Sequence, residues 1–381
     1  MPAVDRFELA PESRELLSQA EAVATELANL AANSPGRLNR ELIAALAESG
    51  LLERLLPMEG RISALDLCLL RQGVARQSAH AETALAMQGL GAYPIILSGS
   101  AELGRRWIPE VRRGKAVPAF ALTELAAGSD AGHLQLRAEA DGSDGFRLTG
   151  EKAFISNAPD ADFYTVFARS EPADGRQGIS CFLVQGDAPG LSGEALELVA
   201  PHPIGSLTFD AVPVPRSQMI GDPGQGFEVA MRTLDLFRPS VGAFAIGMAE
   251  AARNLALDHA QDRKAFGHPI LDFQAVSHQL ADMSVEIEAA KLLVYRAAST
   301  HDRGDREQLT SLAAAAKLYA TETAQRAVDG AVQILGARAL VHDHPLAELY
   351  RQVRAPRIYE GTSEIQRNVI VRELSAGRWP T

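Results

Sequence analysis

The chain holds only two cysteines in 381 residues, Cys68 and Cys181, far apart in sequence. So sparse a supply excludes a disulfide-framed fold, and both thiols read as small buried apolar groups of a reducing cytoplasm. No Cys/His spacing matches a metal set; His342 and His344, around Asp343 and before Pro345, read as a solvated loop. Cations are in deficit too. Lys and Arg number 37 against 48 Asp and Glu, a formal net charge of -11. That balance argues against a nucleic-acid partner, because a phosphate backbone needs clustered cations, but it leaves a small anionic ligand open. Long apolar runs are missing: stretches such as 119–122 and 313–316 fall far short of the roughly 20 residues that span a membrane. No membrane partner is therefore expected. Asp5, Glu8 and Glu12 come early and no apolar segment accompanies them, so no secretory signal is expected and the expected location is cytoplasmic. Finally, no strand runs through a glycine-rich turn into a helix, so a Rossmann dinucleotide site is not supported.

What remains is an ordinary globular composition, 46% apolar and 22% charged, in a chain long enough for two or three cores. Three textures follow one another. Residues 1–117 read as helices: 12–32, stopped by Asn33-Ser34-Pro35-Gly36, then 38–49 ending at Gly50, then 64–77, 83–98 and 101–113. Residues 118–225 break into β-type runs at 134–140, 145–149, 163–168, 179–185 and 207–209, separated by Gly, Asp and Pro. That spacing predicts a compact antiparallel sandwich or barrel. Residues 226–381 turn helical again over 227–257, 273–301, 308–336 and 346–354. Long, Ala-rich helices of this kind predict a bundle.

Four segments have residues suited to chemistry. Phe120 to Asp130 sets the Thr123 hydroxyl and a Gly128-Ser129 turn at the start of the β region, which suits a polar ring or a phosphate. In Phe154-Ile155-Ser156 an aromatic stands two residues before a hydroxyl, so on an extended segment both share a face. Such a pair can stack on a planar ring and hydrogen-bond its edge; a plain half-buried strand is the other reading. Asp262-Arg263-Lys264-Ala265-Phe266-Gly267 offers cations that can meet a pyrophosphate. Lastly, Arg357-Ile358-Tyr359-Glu360-Gly361-Thr362-Ser363-Glu364 precedes a helix opening at Thr362 or Ser363. Ser363 with Gln366 fits a capping box, which leaves Glu360 outside the cap.

In this order and at these separations, together with Gln333-Ile334-Leu335-Gly336, the four segments resemble the acyl-CoA dehydrogenase family over nearly the whole chain. Ala200-Pro201-His202-Pro203 and Asp162-Phe163-Tyr164 are similar to a bacterial subgroup that includes cyclohexanecarboxyl-CoA dehydrogenases. The resemblance implies a mainly α fold with a β domain: an N-terminal α-helical domain (1–117), a middle β-barrel (118–225) and a C-terminal four-helix bundle (226–381). It implies FAD as cofactor, an acyl-CoA substrate, an electron-transfer flavoprotein as electron partner, and a homotetramer in which a neighbour helps to hold each flavin. Carried over residue by residue, Phe120, Leu122, Thr123 and Ser129 line the flavin, Ser129 also the substrate, and Phe154 and Ser156 take the places against the ring, with Ser156 near N5. Arg263, Phe266 and Gln274 match residues that reach a partner's FAD. Gln333 and Gly336 match the adenine and pyrophosphate contact, Thr362 and Glu364 the ADP contact. Asp235, Arg238, Tyr359 and Gly361 match positions near bound substrate, and Glu360 matches the catalytic base.

This resemblance implies removal of an α-proton by Glu360, transfer of a β-hydrogen to the flavin, and a trans-2-enoyl-CoA product. Phe237 occupies the place where some members carry the base on the bundle helix, so one candidate base remains. Three departures stand out: Leu125 in place of the usual proline, Ala337 in place of a second glycine, and a loop after Pro57 without its glycine pair. The alternatives are a same-fold enzyme that uses O₂, a specialised desulfinase-like relative, and a silent flavoprotein. Ala86, Met87, Gly89 and Gly91 are read as leaving space for a medium, branched or cyclic acyl chain, while Glu82, should it face the pocket, disfavours a distal carboxylate.

Overall fold

The computed structural model describes residues 8–34, 36–58, 61–142, 144–171 and 175–379. Asp5, Pro35 of the expected helix stop, and residues 59 and 60 of the loop after Pro57 lie outside the described residues. The chain forms two compact units. One gathers the residues up to 28, 62–82 and those from 235 on; the other holds 29–61 and 83–234. The helical N-terminal region thus contributes to both.

The second unit is built on eight strands: β1 Pro118–Ala121, β2 Arg137–Asp141, β3 Gly145–Ser156, β4 Phe163–Arg169, β5 Ile179–Gln185, β6 Leu191–Ala195, β7 Ile204–Pro215 and β8 Met219–Ile220. They run in the order β6-β7-β3-β2-β4-β5-β8, with β1 parallel to β4. Phe146, Leu148, Tyr164, Val166, Phe182 and Phe209 form the centre of its core. β4 and β5 are buried along nearly their whole length, the pattern of strands covered on both faces. Their continuous apolar runs made them legible; β5 has the bounds expected of it. β7 is far longer than the expected 207–209, because Asp210, Pro213 and Pro215 hid its ends. β1, β6 and β8 are short, too short for a periodic signal.

A buried ion pair ties the loop after β1 to β3. Lys152 Nζ donates to Glu124 Oε1 at 2.8 Å and to the Leu122 carbonyl at 2.9 Å. The Glu124 carboxylate also accepts the Leu136 N–H at 3.0 Å and the Gln135 N–H. Burial pushes the Lys152 ammonium down to about 8 against the pull of Glu124. Every charge here has a partner, so the pair holds geometry rather than adding net stability.

The first unit is helical, with Pro11–Glu26, Ala64–Ala75, Gln274–Asp302, Arg306–Leu335, Pro345–Gln352 and Ser363–Ser375, and Gly226–Asp262 from Asp235 on. Alanine dominates the buried faces, as at Ala290, Ala297, Ala313, Ala316, Ala320 and Ala324, which keeps side-chain ordering costs low. Asp302 ends one helix and caps another: its carboxylate accepts the Ala64 and Leu65 N–H groups at 2.6 and 3.1 Å. His344 is no bare loop residue, since its Nδ1 accepts the Leu346 N–H at 3.1 Å and opens Pro345–Gln352. His342 is exposed beside Asp343. Cys68 and Cys181 are free and buried. Among the described residues no helix is long and apolar enough to cross a membrane, and no three His, Cys, Asp or Glu could hold a metal ion.

Replacing Glu124 by Ala strands the Lys152 charge in the interior. The expected cost is roughly 3–5 kcal/mol, read as a lower urea midpoint with an unchanged slope; a loss under about 1 kcal/mol would refute the tether.

Candidate active site

Glu360 sits where the backbone is forced. Its φ is 52°, a left-handed conformation for a non-glycine residue, worth about 1–3 kcal/mol of strain. Gly361 follows at φ 93°, and a Cβ there would come within 2.5 Å of Gln366 Nε2; only glycine suits it. Three donors hold this conformation by its carbonyls. Arg238 Nε donates to the Glu360 oxygen at 3.2 Å, and Lys317 Nζ to the Gly361 oxygen at 2.8 Å. Gln366 Nε2 reaches both, at 3.3 and 3.0 Å.

The ends of the loop are pinned by one carboxylate. Glu322 accepts from Arg357 Nε at 3.0 Å on one side and from Ser363 Oγ at 2.7 Å on the other. This corrects the expected cap. Ser363 is spent on Glu322, and the helix is capped by Thr362, whose Oγ1 accepts the Ile365 N–H at 3.2 Å. Gln366 is turned toward the loop carbonyls instead of completing a capping box. Glu360 still lies outside the cap.

The electrostatics around Glu360 oppose one another. Its Oε2 is enclosed and has no hydrogen-bond partner. Burial raises its carboxyl above the ordinary 4.5, while Arg71, Lys317 and Arg238 pull it down. Lys317 is fully buried, and burial pushes its ammonium down to about 8. Arg238 is 7% exposed and shared between Asp235 Oδ1, at 3.3 Å, and the Glu360 carbonyl. Arg71, only 2% exposed, is paired with Glu82 and donates to Ser240 Oγ at 2.8 Å. Burial lifts Glu82 to about 7 despite that pairing. Phe237 is fully buried and apolar.

The ring-type segments lie in the other unit. Ala153 N donates to the Thr123 carbonyl at 2.9 Å, and the Lys152–Glu124 tether secures the same junction, so the Thr123 loop runs beside β3. β3 is not a plain extended strand there. Its pairing with β7 shifts between Lys152 and Ile155, and Phe154 has φ 56°. This corrects the alternation argument: a bulge aims Phe154, which is 52% exposed, while Ile155 goes into the core and Ser156 stays half-buried. Phe120 packs on Phe167, ring centroids 4.9 Å apart, Leu122 is buried, and Ser129 is exposed.

Family comparisons match this arrangement along the chain. Models described as the N-terminal, middle and C-terminal domains of acyl-CoA dehydrogenase match residues 10–115, 119–212 and 224–375. The chain belongs to the acyl-CoA dehydrogenase family. It is 36% identical over 350 residues to the cyclohexane-1-carbonyl-CoA dehydrogenase of Geobacter metallireducens, covering 90% of this chain and 91% of that one. Butyryl-CoA dehydrogenase from Megasphaera elsdenii superposes with a TM-score of 0.91 at 32% identity, over 97% and 99% of the two chains. PigA, determined with FAD and proline, superposes at 0.90 with 27% identity, over 97% and 99%.

Acyl-CoA dehydrogenases are oxidoreductases with FAD as cofactor, and the fold is the family's: helical N-terminal, β middle and helical C-terminal domains. The residues of this chain fit a flavin. Phe154 offers an exposed aromatic face, Thr123 and Ser156 offer half-buried hydroxyls, and around Gly128 a Cβ would meet nothing within 4 Å. Arg263, Phe266, Gln274, Gln333, Gly336 and Glu364 are all exposed in the single chain, Phe266 at 93%. Tyr359 retains 36% of its surface.

Sequence reasoning missed Lys317, Glu322, Arg71 and Lys152. Lys317 did leave a signal, as a single cation closing the run Ala313-Ala314-Ala315-Ala316. Gly91 was misread: its missing Cβ leaves no space, because Pro118 Cβ would stand 2.7 Å from it.

Lys317→Met removes a cation that lowers the Glu360 pKa. A base must be deprotonated, so activity is lost as pH falls through that pKa. The acidic limb of the kcat/KM profile is therefore expected at higher pH in the variant; an unmoved limb would show that Lys317 does not act on Glu360.

Proposed function

We propose that this chain catalyses the α,β-dehydrogenation of an acyl-CoA thioester to the trans-2-enoyl-CoA, with Glu360 as base and an electron-transfer flavoprotein as acceptor. The observation that carries this reading is the enclosed, unpartnered Oε2 of Glu360 on a loop whose Glu360 and Gly361 carbonyls are gripped by side-chain donors. A buried carboxylate with a structural task is normally paired. Here Arg238 and Lys317 grip the backbone and leave the side chain unspent.

An α-hydrogen of a thioester is a weak acid, so the base needs a raised pKa and an oxygen-polarising donor. Burial supplies the first, and the Glu360 backbone N–H is assigned the second. Arg238 and Lys317 hold that N–H and the carboxylate in one fixed relation by fixing the carbonyls on either side of Gly361. FAD, when bound, supplies the two-electron acceptor for the hydrogen that leaves Cβ. Phe154 and Ser156 are assigned to the isoalloxazine ring, Ser156 at its N5 edge, with Phe120, Leu122, Thr123 and Ser129 completing the contact. Phe237 cannot accept a proton, so no second base competes.

Phe266, with 93% of its surface exposed and its ring edge-on to Phe273 at 6.1 Å, supports a homotetramer in which Arg263, Phe266 and Gln274 reach a neighbour's FAD. Asp235 and Tyr359 are assigned to the substrate side of the base loop. Arg238 serves that side through its latch on Glu360. The acyl group is best sought among medium, branched and cyclic chains, a class that the name of the Geobacter relative also includes.

Glu360→Gln is expected to keep its FAD spectrum and to lose flavin bleaching by roughly 10⁴-fold, across a panel from butyryl- to octanoyl-CoA with isobutyryl- and cyclohexanecarboxyl-CoA. A variant that still bleaches at the wild-type rate would remove Glu360 from the chemistry.

A further inference from the structure

Ser156 Oγ and His202 Nε2 stand 2.8 Å apart, a pairing that the proposed function does not use. His202 lies in Ala200-Pro201-His202-Pro203, where two prolines fix the backbone around it. The mount is rigid on the other side as well. Asn157 N donates to the Pro203 carbonyl at 2.7 Å, and Ser156 is paired with Ile204 where β3 meets β7. Both side chains are half-buried, so the pair is held by the protein and keeps an open side.

A serine hydroxyl has one proton and two lone pairs, and a neutral imidazole bears its proton on one of two nitrogens. With the proton on Nε2, His202 donates to Oγ, and the Ser156 proton is free for an acceptor on the open side. With Nε2 bare, Oγ gives its proton to His202 and presents only lone pairs to the open side. The imidazole thus sets the polarity of the hydroxyl. A flavin N5 changes in the complementary sense, being an acceptor when oxidised and an N–H donor when reduced.

We propose that His202 is a positioning residue that lets the Ser156 hydroxyl donate to the oxidised cofactor and accept from the reduced one, and so sets the balance between the two. The pair takes up no net proton in this exchange: the hydroxyl turns, and the imidazole keeps a single proton, on Nε2 or on Nδ1. The inference rests on the reading of Ser156 at the N5 edge.

The test is a double-substitution cycle on the FAD-loaded protein, read by the midpoint potential of the flavin in wild type, His202→Phe, Ser156→Ala and the double variant. Each single substitution is expected to change the ratio of oxidised to reduced affinity about tenfold, which is about 30 mV for a two-electron couple. The double variant should move no further than Ser156→Ala alone, because His202 acts only through Oγ. His202→Gln, whose amide can donate and accept, should recover at least half of the shift. His202→Leu replaces the phenylalanine if that variant fails to load FAD. An unmoved potential in the His202 variants, or additive shifts, would overturn the inference while leaving thioester oxidation standing. Coupled shifts in a protein that oxidises no acyl-CoA would overturn the proposed function and leave this pairing intact.

Discussion

The site depends on the gripping of two consecutive carbonyls. The Glu360 and Gly361 oxygens face three side-chain donors from three helices, Arg238, Lys317 and Gln366. Without them a glutamate at φ 52° would relax toward the common backbone regions. Arg238 and Lys317 stand on the long helices Gly226–Asp262 and Arg306–Leu335, and Gln366 on the 13-residue Ser363–Ser375. Glu322 adds the outer clamp, taking Arg357 before the loop and Ser363 after it. A strained conformation held this firmly by its surroundings is the usual mark of a functional position.

Two of these cations, with Arg71, also set the acidity of the base. Burial raises the Glu360 carboxyl above its ordinary range; Arg71, Lys317 and Arg238 draw it back toward the anion. Lys317 shares in the compromise, since its own burial weakens its charge. Arg71 is tied to Glu82, so its pull on Glu360 is moderated by a second carboxylate that burial has also raised. Positioning and tuning therefore meet at Lys317 and Arg238, which fix the backbone and also draw down the proton affinity.

Much of this was legible in the sequence, and what was not has a common cause. Helical and β textures follow from local apolar spacing, which is why 273–301 was expected where Gln274–Asp302 is found. Glu360 stood out because its motif is local. The cap was misassigned because Ser363 is claimed by Glu322, 41 residues earlier, and no local spacing reports a distant partner. Lys152 and Glu124, 28 residues apart, escaped for the same reason. Phe154 and Ser156 were expected to share a face by strand alternation, and a bulge between Lys152 and Ile155 interrupts that alternation. Gly91 looked like empty space until Pro118 filled it.

The central claim is that Glu360, held in this loop with a raised pKa, takes the α-proton. The most direct measurement is anaerobic stopped-flow bleaching of the bound flavin by the preferred acyl-CoA, unlabelled and dideuterated at Cα, across a pH series. The account predicts a primary isotope effect at Cα and a rate that falls with acid through an apparent pKa above the ordinary 4.5. A rate indifferent to α-deuteration and flat in acid down to that value would contradict it.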